Sequence, residues 1–267
     1  MTNDILNTSM QSPSDVAYIL DASQPVLSHK RSMQAESGIV PHAHPRGQLL
    51  WAVEGILRIT SENAVWVVPS THAVWIPGNV YHQVSGETAA QTRNIYVDPS
   101  YTVRDGEKSI TMLEMSPLMR ELILKLTESN ASMSKSRIQR LGWVVLDELD
   151  VMKSFLLYLP AGNDPRLKKL ISNIVNNPSQ SLALSTLAHD VGASVRTIER
   201  LFKAETGMNY RQWRSRFRLM HALDNVIHGS NTTMIAHELG YKSVSSFIVA
   251  FKRLFGCTPQ DYLLHKN

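Results

Sequence analysis

The sequence predicts an α+β protein of two domains: an N-terminal small antiparallel β-barrel with a helical hairpin, and a C-terminal domain built only of helices. Three observations support this. Short β-rich segments separated by Gly and Pro fill the first hundred residues, apolar residues at helical spacing follow them, and one short helical pattern occurs twice near the end. At 267 residues the chain is long enough for two separate hydrophobic cores.

The β-barrel is predicted over residues 16–110. Segments such as GQLLWAVEGILRIT and AVWVVPSTHAVWIPG are rich in β-branched and aromatic residues, and turn formers such as Gly55, Pro69 and Pro77 interrupt them. Several short strands within about eighty residues favour a small barrel or sandwich. The preceding residues, 1–15, are polar, and we predict that they are disordered.

A hairpin of two helices is predicted over residues 111–152. Its apolar residues recur at a spacing of three to four: Met115, Leu118, Met119, Leu122 and Leu126, then Ile138, Leu141, Val145 and Leu149. The apolar face either packs on the barrel or forms a homodimer interface, and we favour the homodimer because a small barrel leaves part of such a face uncovered. Residues 153–165, with Pro160 and Gly162, are the predicted linker.

A repeated pattern marks the C-terminal domain. LAHDVG begins at Leu187 and IAHELG at Ile235, and each is followed by a second apolar segment with Phe202 or Phe251 in it. Each copy indicates a short helix, a turn and a second helix, the arrangement of a helix-turn-helix. The turn glycines, Gly192 and Gly240, suit a backbone with positive φ.

The second helix of the first copy is predicted to have one apolar and one basic face. Ser194 is a suitable N-cap, Ile198, Leu201 and Phe202 form the apolar face, and the opposite face carries Arg196, Glu199, Arg200 and Lys203. Residues 164–267 contain 14 Lys and Arg against 7 Asp and Glu, so positive charge is concentrated there. A solvated charged face is the alternative, but the second copy favours binding in the major groove of DNA.

The helix between the two copies is predicted over Tyr210–Ile227 and carries Arg211, Arg214, Arg216 and Arg218. Eighteen helical residues span about 27 Å, which is compatible with two recognition helices held one DNA turn, about 34 Å, apart. The predicted partner is therefore double-stranded promoter DNA.

Residues 164–264, and above all the closing GYKSVSSFIVAFKRLFGCTPQDY, resemble the DNA-binding domain of the AraC/XylS family, which we assign to residues 166–267. The resemblance implies seven helices, with base-reading positions at Arg196, Glu199 and Arg200, and in the second unit at Ser245, Ser246 and Val249. Many relatives have arginine or another polar residue at the position of Val249. The second unit is therefore expected to depend more on phosphate contacts, made by Lys242 and Lys252.

The barrel contains a pattern that resembles the cupin family. His42 and His44 lie on the same face of a strand, Gln48 follows, and Pro77-Gly78 precedes His82. The resemblance implies that His42, His44, Gln48 and His82 bind a divalent metal ion such as Zn, Ni, Mn or Fe. Gln48 stands where the family has glutamate, which predicts weaker binding. An organic effector pocket without metal and a purely structural barrel remain alternatives.

Together these features predict a cytoplasmic, non-enzymatic transcription regulator controlled by a small molecule or metal. The sequence has no apolar run long enough to span a membrane, no signal peptide and one cysteine, Cys257. The alternative is a metal-dependent cupin enzyme fused to a DNA-binding module. Besides the histidines, the barrel sequence offers no evident general acid or base, and Glu54 has no assignable role.

Overall fold

A computed structural model describes residues 10–62, 64–128, 133–155, 158–176, 182–227 and 229–264. The chain divides into two compact units: residues up to Ser61 with Trp66–Tyr158, and Glu62–Val65 with the residues from Leu159 onward. The main division falls inside the segment predicted as the linker. Among the described helices, none is long and apolar enough to cross a membrane.

The first unit is formed mainly of antiparallel strands, as predicted. They are β1 (Met10–Gln11), β2 (Val26–Met33), β3 (Gly38–His42), β4 (Gly47–Glu54), β5 (Leu57–Thr60), β6 (Ala64–Val68), β7 (His72–Ile76), β8 (His82–Gly86), β9 (Ala90–Val97), β10 (Thr111–Glu114) and β11 (Ser154–Phe155). One sheet has the strand order β1-β3-β8-β5-β6, and the other has the order β11-β10-β7-β4-β9-β2. The first two residues of β6 belong to the second unit.

The N-terminal segment differs in part from the prediction of disorder over 1–15. Residues 1–9 lie outside the described part of the chain, but Met10 and Gln11 pair with Gly38 and Ile39 in parallel. A short 3-10 helix, Asp15–Tyr18, follows. Two-residue strands have no readable periodicity, and their backbone hydrogen bonds come from a partner far along the chain.

The helical hairpin packs on one face of the second sheet. Helix α1 (Pro117–Glu128) buries Met119, Leu122, Ile123 and Leu126, and helix α2 (Lys135–Val151) buries Val145, Leu146 and Leu149. They join Leu49, Trp51, Trp75 and Ile95 of the sheet in one core. Leu118 and Ile138, which the spacing places on the apolar stripe, are exposed. Packing on the sheet therefore accounts for most of the apolar stripe, and the homodimer stays a prediction.

The described part of the second unit has seven helices, the number implied by the AraC/XylS resemblance. They are α3 (Pro165–Asn176), α4 (Leu184–Asp190), α5 (Val195–Thr206), α6 (Tyr210–Ile227), α7 (Thr232–Glu238), α8 (Val244–Phe255) and α9 (Pro259–Leu264). A short strand, β12 (Leu159–Pro160), pairs with Val65 and Ala64 of the same unit. The pairs α4–α5 and α7–α8 are the two helix-turn-helix units.

The turns of both helix-turn-helix units have the predicted backbone. Gly192 has φ of 66° and Gly240 has φ of 71°, a region that is strained for a residue with Cβ. Phe202 and Phe251 are fully buried, as predicted, and they pack among other aromatic rings of the unit. These rings hold the two recognition helices, α5 and α8, against α6 and α9.

Candidate functional site

Three histidines of the first unit converge although they come from three different segments. His42 is the last residue of β3 and His82 is the first residue of β8, and the two are paired across these strands. His44 lies just before β4. Their ring centroids are 4.4 Å apart for His42 and His82, 5.2 Å for His44 and His82, and 5.6 Å for His42 and His44. Each offers one ring nitrogen, and these nitrogens all lie within 4.8 Å of one another.

The backbone orients each ring. The Nδ1 atoms of His42, His44 and His82 lie 2.8 Å, 2.7 Å and 2.8 Å from the carbonyl oxygens of Val40, Arg46 and Val80. Because a carbonyl oxygen only accepts, we assign the ring proton to Nδ1 in all three neutral imidazoles. The lone pair of each ring is then on Nε2, the arrangement that a metal-binding histidine adopts.

Burial keeps these imidazoles neutral. Removal from water lowers the pKa of His82 to about 3 and lowers the pKa values of His42 and His44 as well. The Nε2 atom of His82 is also buried without a hydrogen-bond partner among the described residues. An unsatisfied buried acceptor costs about 1–3 kcal/mol. A neutral His82 ring therefore has one nitrogen free to accept a hydrogen bond or to bind a cation.

Gln48, the predicted oxygen ligand, lies at the same place. Its Oε1 is 3.0 Å from Nε2 of His44, while its amide nitrogen donates to Oδ1 of Asn94 at 2.7 Å. Asn94 in turn donates to the backbone oxygen of His29. This chain fixes the Gln48 oxygen toward His44. With the His44 proton on Nδ1, two acceptors face each other, and either a second proton or a cation between them would relieve the repulsion.

Several residues that the sequence did not single out support the histidines. Arg46, whose carbonyl orients His44, is fully buried and pairs with Asp98 at 3.0 Å. The ring of Tyr96 lies edge-on to His44 with centroids 5.5 Å apart. No sequence signal marks Arg46 beyond its position next to the HxH motif. Asn94 and Tyr96 follow from the pairing of β4 with β9, which the sequence does not specify.

The predicted DNA-reading residues of the first helix-turn-helix are exposed. The buried face of α5 contains Ile198, Leu201 and Phe202, and the opposite, exposed face carries Arg196, Glu199, Arg200 and Lys203. Ser194 is the N-cap, as predicted, and its hydroxyl accepts from the Thr197 amide at 3.1 Å. The helix therefore presents three cations and one anion to solvent, but their contact with DNA stays a prediction.

The second helix-turn-helix presents a different surface. Ser245, Ser246 and Val249 are exposed on α8, and so are Lys242 and Lys252 beside them. The side chain of Ser246 accepts from the amide of Ser243 and donates to its carbonyl, in a capping box at the start of α8. Its hydroxyl is thus already bonded within the helix start, and Val249 offers no hydrogen-bonding group.

Known proteins resemble this chain in both halves. A protein-family model described as a helix-turn-helix domain matches residues 187–265. The HTH-type transcriptional regulator NimR of Escherichia coli (strain K12) is 35% identical over 223 residues, which are 83% of this chain and 81% of NimR. A putative AraC-like transcription regulator of Streptomyces lividans is 33% identical over 103 residues, 38% of this chain and 34% of that protein.

Among solved structures, ToxT from Vibrio cholerae matches 90% of this chain and 98% of its own, with 10% identity and a TM-score of 0.38. The family assignment depends on the sequence relatives, because NimR is similar along most of its length. The chain belongs to the AraC family of DNA-binding transcription regulators.

Proposed function

We propose that the chain is a regulator whose first unit binds a divalent metal ion and whose second unit binds promoter DNA in response. The observation that carries this proposal is the convergence of His42, His44 and His82, with one ring nitrogen of each within 4.8 Å of the others and each Nδ1 beside a backbone carbonyl oxygen. The Nε2 atoms of His42, His44 and His82 and the amide oxygen of Gln48 would hold the ion. Imidazole with one oxygen ligand suits Zn, Ni, Mn or Fe.

The ligand set is neutral, and this determines what the site does. Three imidazoles and an amide would leave a bound cation with its full charge, and that charge would supply an attachment point for an anionic effector. The protein's own contribution is to orient the rings through backbone carbonyls and to keep them neutral by burial. Gln48 is held by Asn94, so its oxygen is aimed before any ligand arrives.

Occupancy of this site controls DNA binding only if the ligand prefers one of two states of the protein. A tenfold change in promoter affinity requires a preference of about 1.4 kcal/mol. Homodimerisation through α1 and α2 is the arrangement we infer for such a response. A regulator of this family acts where the chromosome is, so we infer a cytoplasmic location.

The metal content of the protein tests the proposal. We expect near-stoichiometric metal in protein purified without chelator, and loss of that metal in the double variant His42→Ala, His44→Ala. His189→Ala is the matched control, because His189 is exposed in the second unit. Gln48→Glu should bind more tightly, since a carboxylate is the stronger ligand.

Absence of metal, both as purified and after titration with Zn²⁺, Ni²⁺, Mn²⁺ and Fe²⁺, would contradict the metal site. The organic effector pocket would then be tested by screening compounds for shifts in DNA affinity. A purely structural role predicts that neither metal nor compound changes the binding of a duplex selected by the protein.

We also infer that the first unit is not a catalyst. The described groups at the histidine cluster are imidazoles, amides and phenols, while Asp98 is held in an ion pair with Arg46. The alternative, a metal-dependent enzyme attached to a DNA-binding module, predicts turnover that disappears in the His42→Ala variant. If the wild-type protein supplied with metal turns over no tested substrate, that result would favour the regulator.

A further inference from the structure

The second unit contains an open groove that includes one predicted base-reading residue, Glu199, and three arginines to which no DNA contact has been assigned. Its volume is about 780 Å³, and it is lined by the start of α5, the first half of α6, the segment before α4 and the turn before α8. Three arginines of α6 line it: Arg211, Arg214 and Arg218. Glu199 is the acidic residue among the lining side chains, so the groove is predominantly basic.

Hydrogen bonds attach α6 to the second helix-turn-helix along this groove. Nη1 of Arg218 lies 3.4 Å from the carbonyl oxygen of Leu239, and the hydroxyls of Ser215 and Tyr241 are 3.3 Å apart. Arg214 is only 8% exposed. Burial lowers the pKa of Arg214, and Arg218 acts in the same direction. Positive charge is therefore concentrated in a partly desolvated place, where an anion would stabilise it.

The groove lies between the starts of the two recognition helices. Val195 and Glu199 of α5 line one part, and Gly240 and Tyr241, which precede α8, line another. Recognition helices contact bases mainly with their N-terminal residues. When both helices occupy consecutive major grooves of one duplex, we expect the DNA between them to face this groove and to present backbone phosphates to it.

We propose that this groove binds the backbone phosphates between the two major grooves, with Arg211 as the main contact. Arg211 is exposed, lies one residue into α6, and forms no ion pair among the described residues. Arg214 and Arg218 line the same groove and add positive electrostatic potential to it. The proposal rests on the DNA-binding function of the family and adds a sequence-independent contact to it.

The test measures DNA affinity of the full chain by fluorescence anisotropy over a range of salt concentrations. Two duplexes are used: one selected by the wild-type protein from a random library, and one unselected. Arg211→Ala should lower the slope of log K against log salt by about 0.9, the value for one lost phosphate contact, on both duplexes alike. Arg211→Lys should retain most of the slope, because lysine also binds phosphate.

Lys30→Ala is the charge control, because Lys30 is an exposed residue of β2 in the first unit. It removes the same charge and should leave the slope unchanged. An unchanged slope in Arg211→Ala, with helix content intact by circular dichroism, would overturn the phosphate site. A loss confined to the selected duplex would overturn it too, since it would indicate base reading. If the wild-type chain bound neither duplex, the DNA-binding function itself would fail, which is a separate result.

Discussion

The two helix-turn-helix units share a scaffold and differ on the surface. In each, a serine caps the recognition helix, accepting from an amide three residues on at 3.1 Å for Ser194 and 3.2 Å for Ser243. In each, a left-handed glycine forms the turn and a buried phenylalanine anchors the helix. The exposed faces, however, have little in common. Folding and recognition are thus carried by different faces of the same helix.

This difference predicts an asymmetric DNA site. The α5 face has Arg196 and Arg200, whose guanidinium groups can bond two acceptors of one guanine. The α8 face has Val249, which is 67% exposed, and Ser246, whose hydroxyl is engaged in the capping box. We expect the first half-site to be read strictly and the second half-site to be tolerant.

The largest effect should come from the shared scaffold. Phe202→Ala and Phe251→Ala each remove a fully buried ring, and such truncations lower the free energy of unfolding by about 3–5 kcal/mol. Similar losses are expected because each ring contacts other aromatic rings, at 5.5 Å between the centroids of Phe202 and Tyr210 and at 4.4 Å between those of Phe251 and Phe255. Hydrogen exchange of the α5 and α8 amides in the full chain measures both losses.

Val249→Ala is the control for these variants, since an exposed side chain should change stability by less than about 0.5 kcal/mol. A loss in only one of the two phenylalanine variants would show that the scaffolds are not energetically equivalent.

The next effect should separate the two surfaces. Arg196→Ala and Arg200→Ala should weaken binding to the selected duplex by about 1–3 kcal/mol and relax base preference at their positions. Ser245→Ala and Val249→Ala in the second helix-turn-helix should change base preference much less. Binding to single-base variants of the selected duplex measures this. Equal losses of base preference for variants in both helix-turn-helix units would contradict the predicted asymmetry.

The helical unit was largely predictable from the sequence because its signals are local. A glycine turn, a serine cap and apolar residues at helical spacing each involve residues within one or two turns, and the bounds of α6 agree with those predicted. The exposed faces follow from the same periodicity. Leu118 of α1, in the first unit, shows the limit of such local signals: its spacing is helical, but it is exposed, because the packed partner elements decide which part of a wide apolar stripe is covered.

The histidine site was predictable only as far as the motif reaches. The structure places His42, His44, Gln48 and His82 close together, and what they bind stays a prediction. The groups that orient them were not predictable, because Asn94 is 46 residues from Gln48 and reaches it through strand register. Register depends on the whole pattern of paired strands and not on any one segment.

A smaller effect is expected at the two helix caps. Ser194→Ala and Ser243→Ala should each lower the stability of the second unit by about 1 kcal/mol, the usual value for an N-cap serine. Ser194→Ala should show the larger loss, because the Ser194 hydroxyl is bonded to both the amide and the hydroxyl of Thr197. Ser243→Ala removes the bond from the Ser246 amide but keeps the one that the Ser243 backbone amide donates to the Ser246 hydroxyl. Local hydrogen exchange at the first turns of α5 and α8 measures the difference. Ser243→Thr, which keeps the hydroxyl, should retain most of the stability.

The smallest effect is expected at two lysines in equivalent positions, Lys203 after Phe202 and Lys252 after Phe251. Both are exposed, but Nζ of Lys203 lies 3.4 Å from the carbonyl oxygen of Gly207, so part of its hydrogen bonding is used within the protein. Lys252→Ala should weaken binding to selected and unselected duplexes alike and lower the salt slope by about 0.9, as one lost phosphate contact does. Lys203→Ala should lower it by less. A larger slope change for Lys203→Ala than for Lys252→Ala would assign the phosphate contact to the first helix-turn-helix. The second helix-turn-helix, whose base-reading positions carry no charge, would then lack the phosphate contact expected of it.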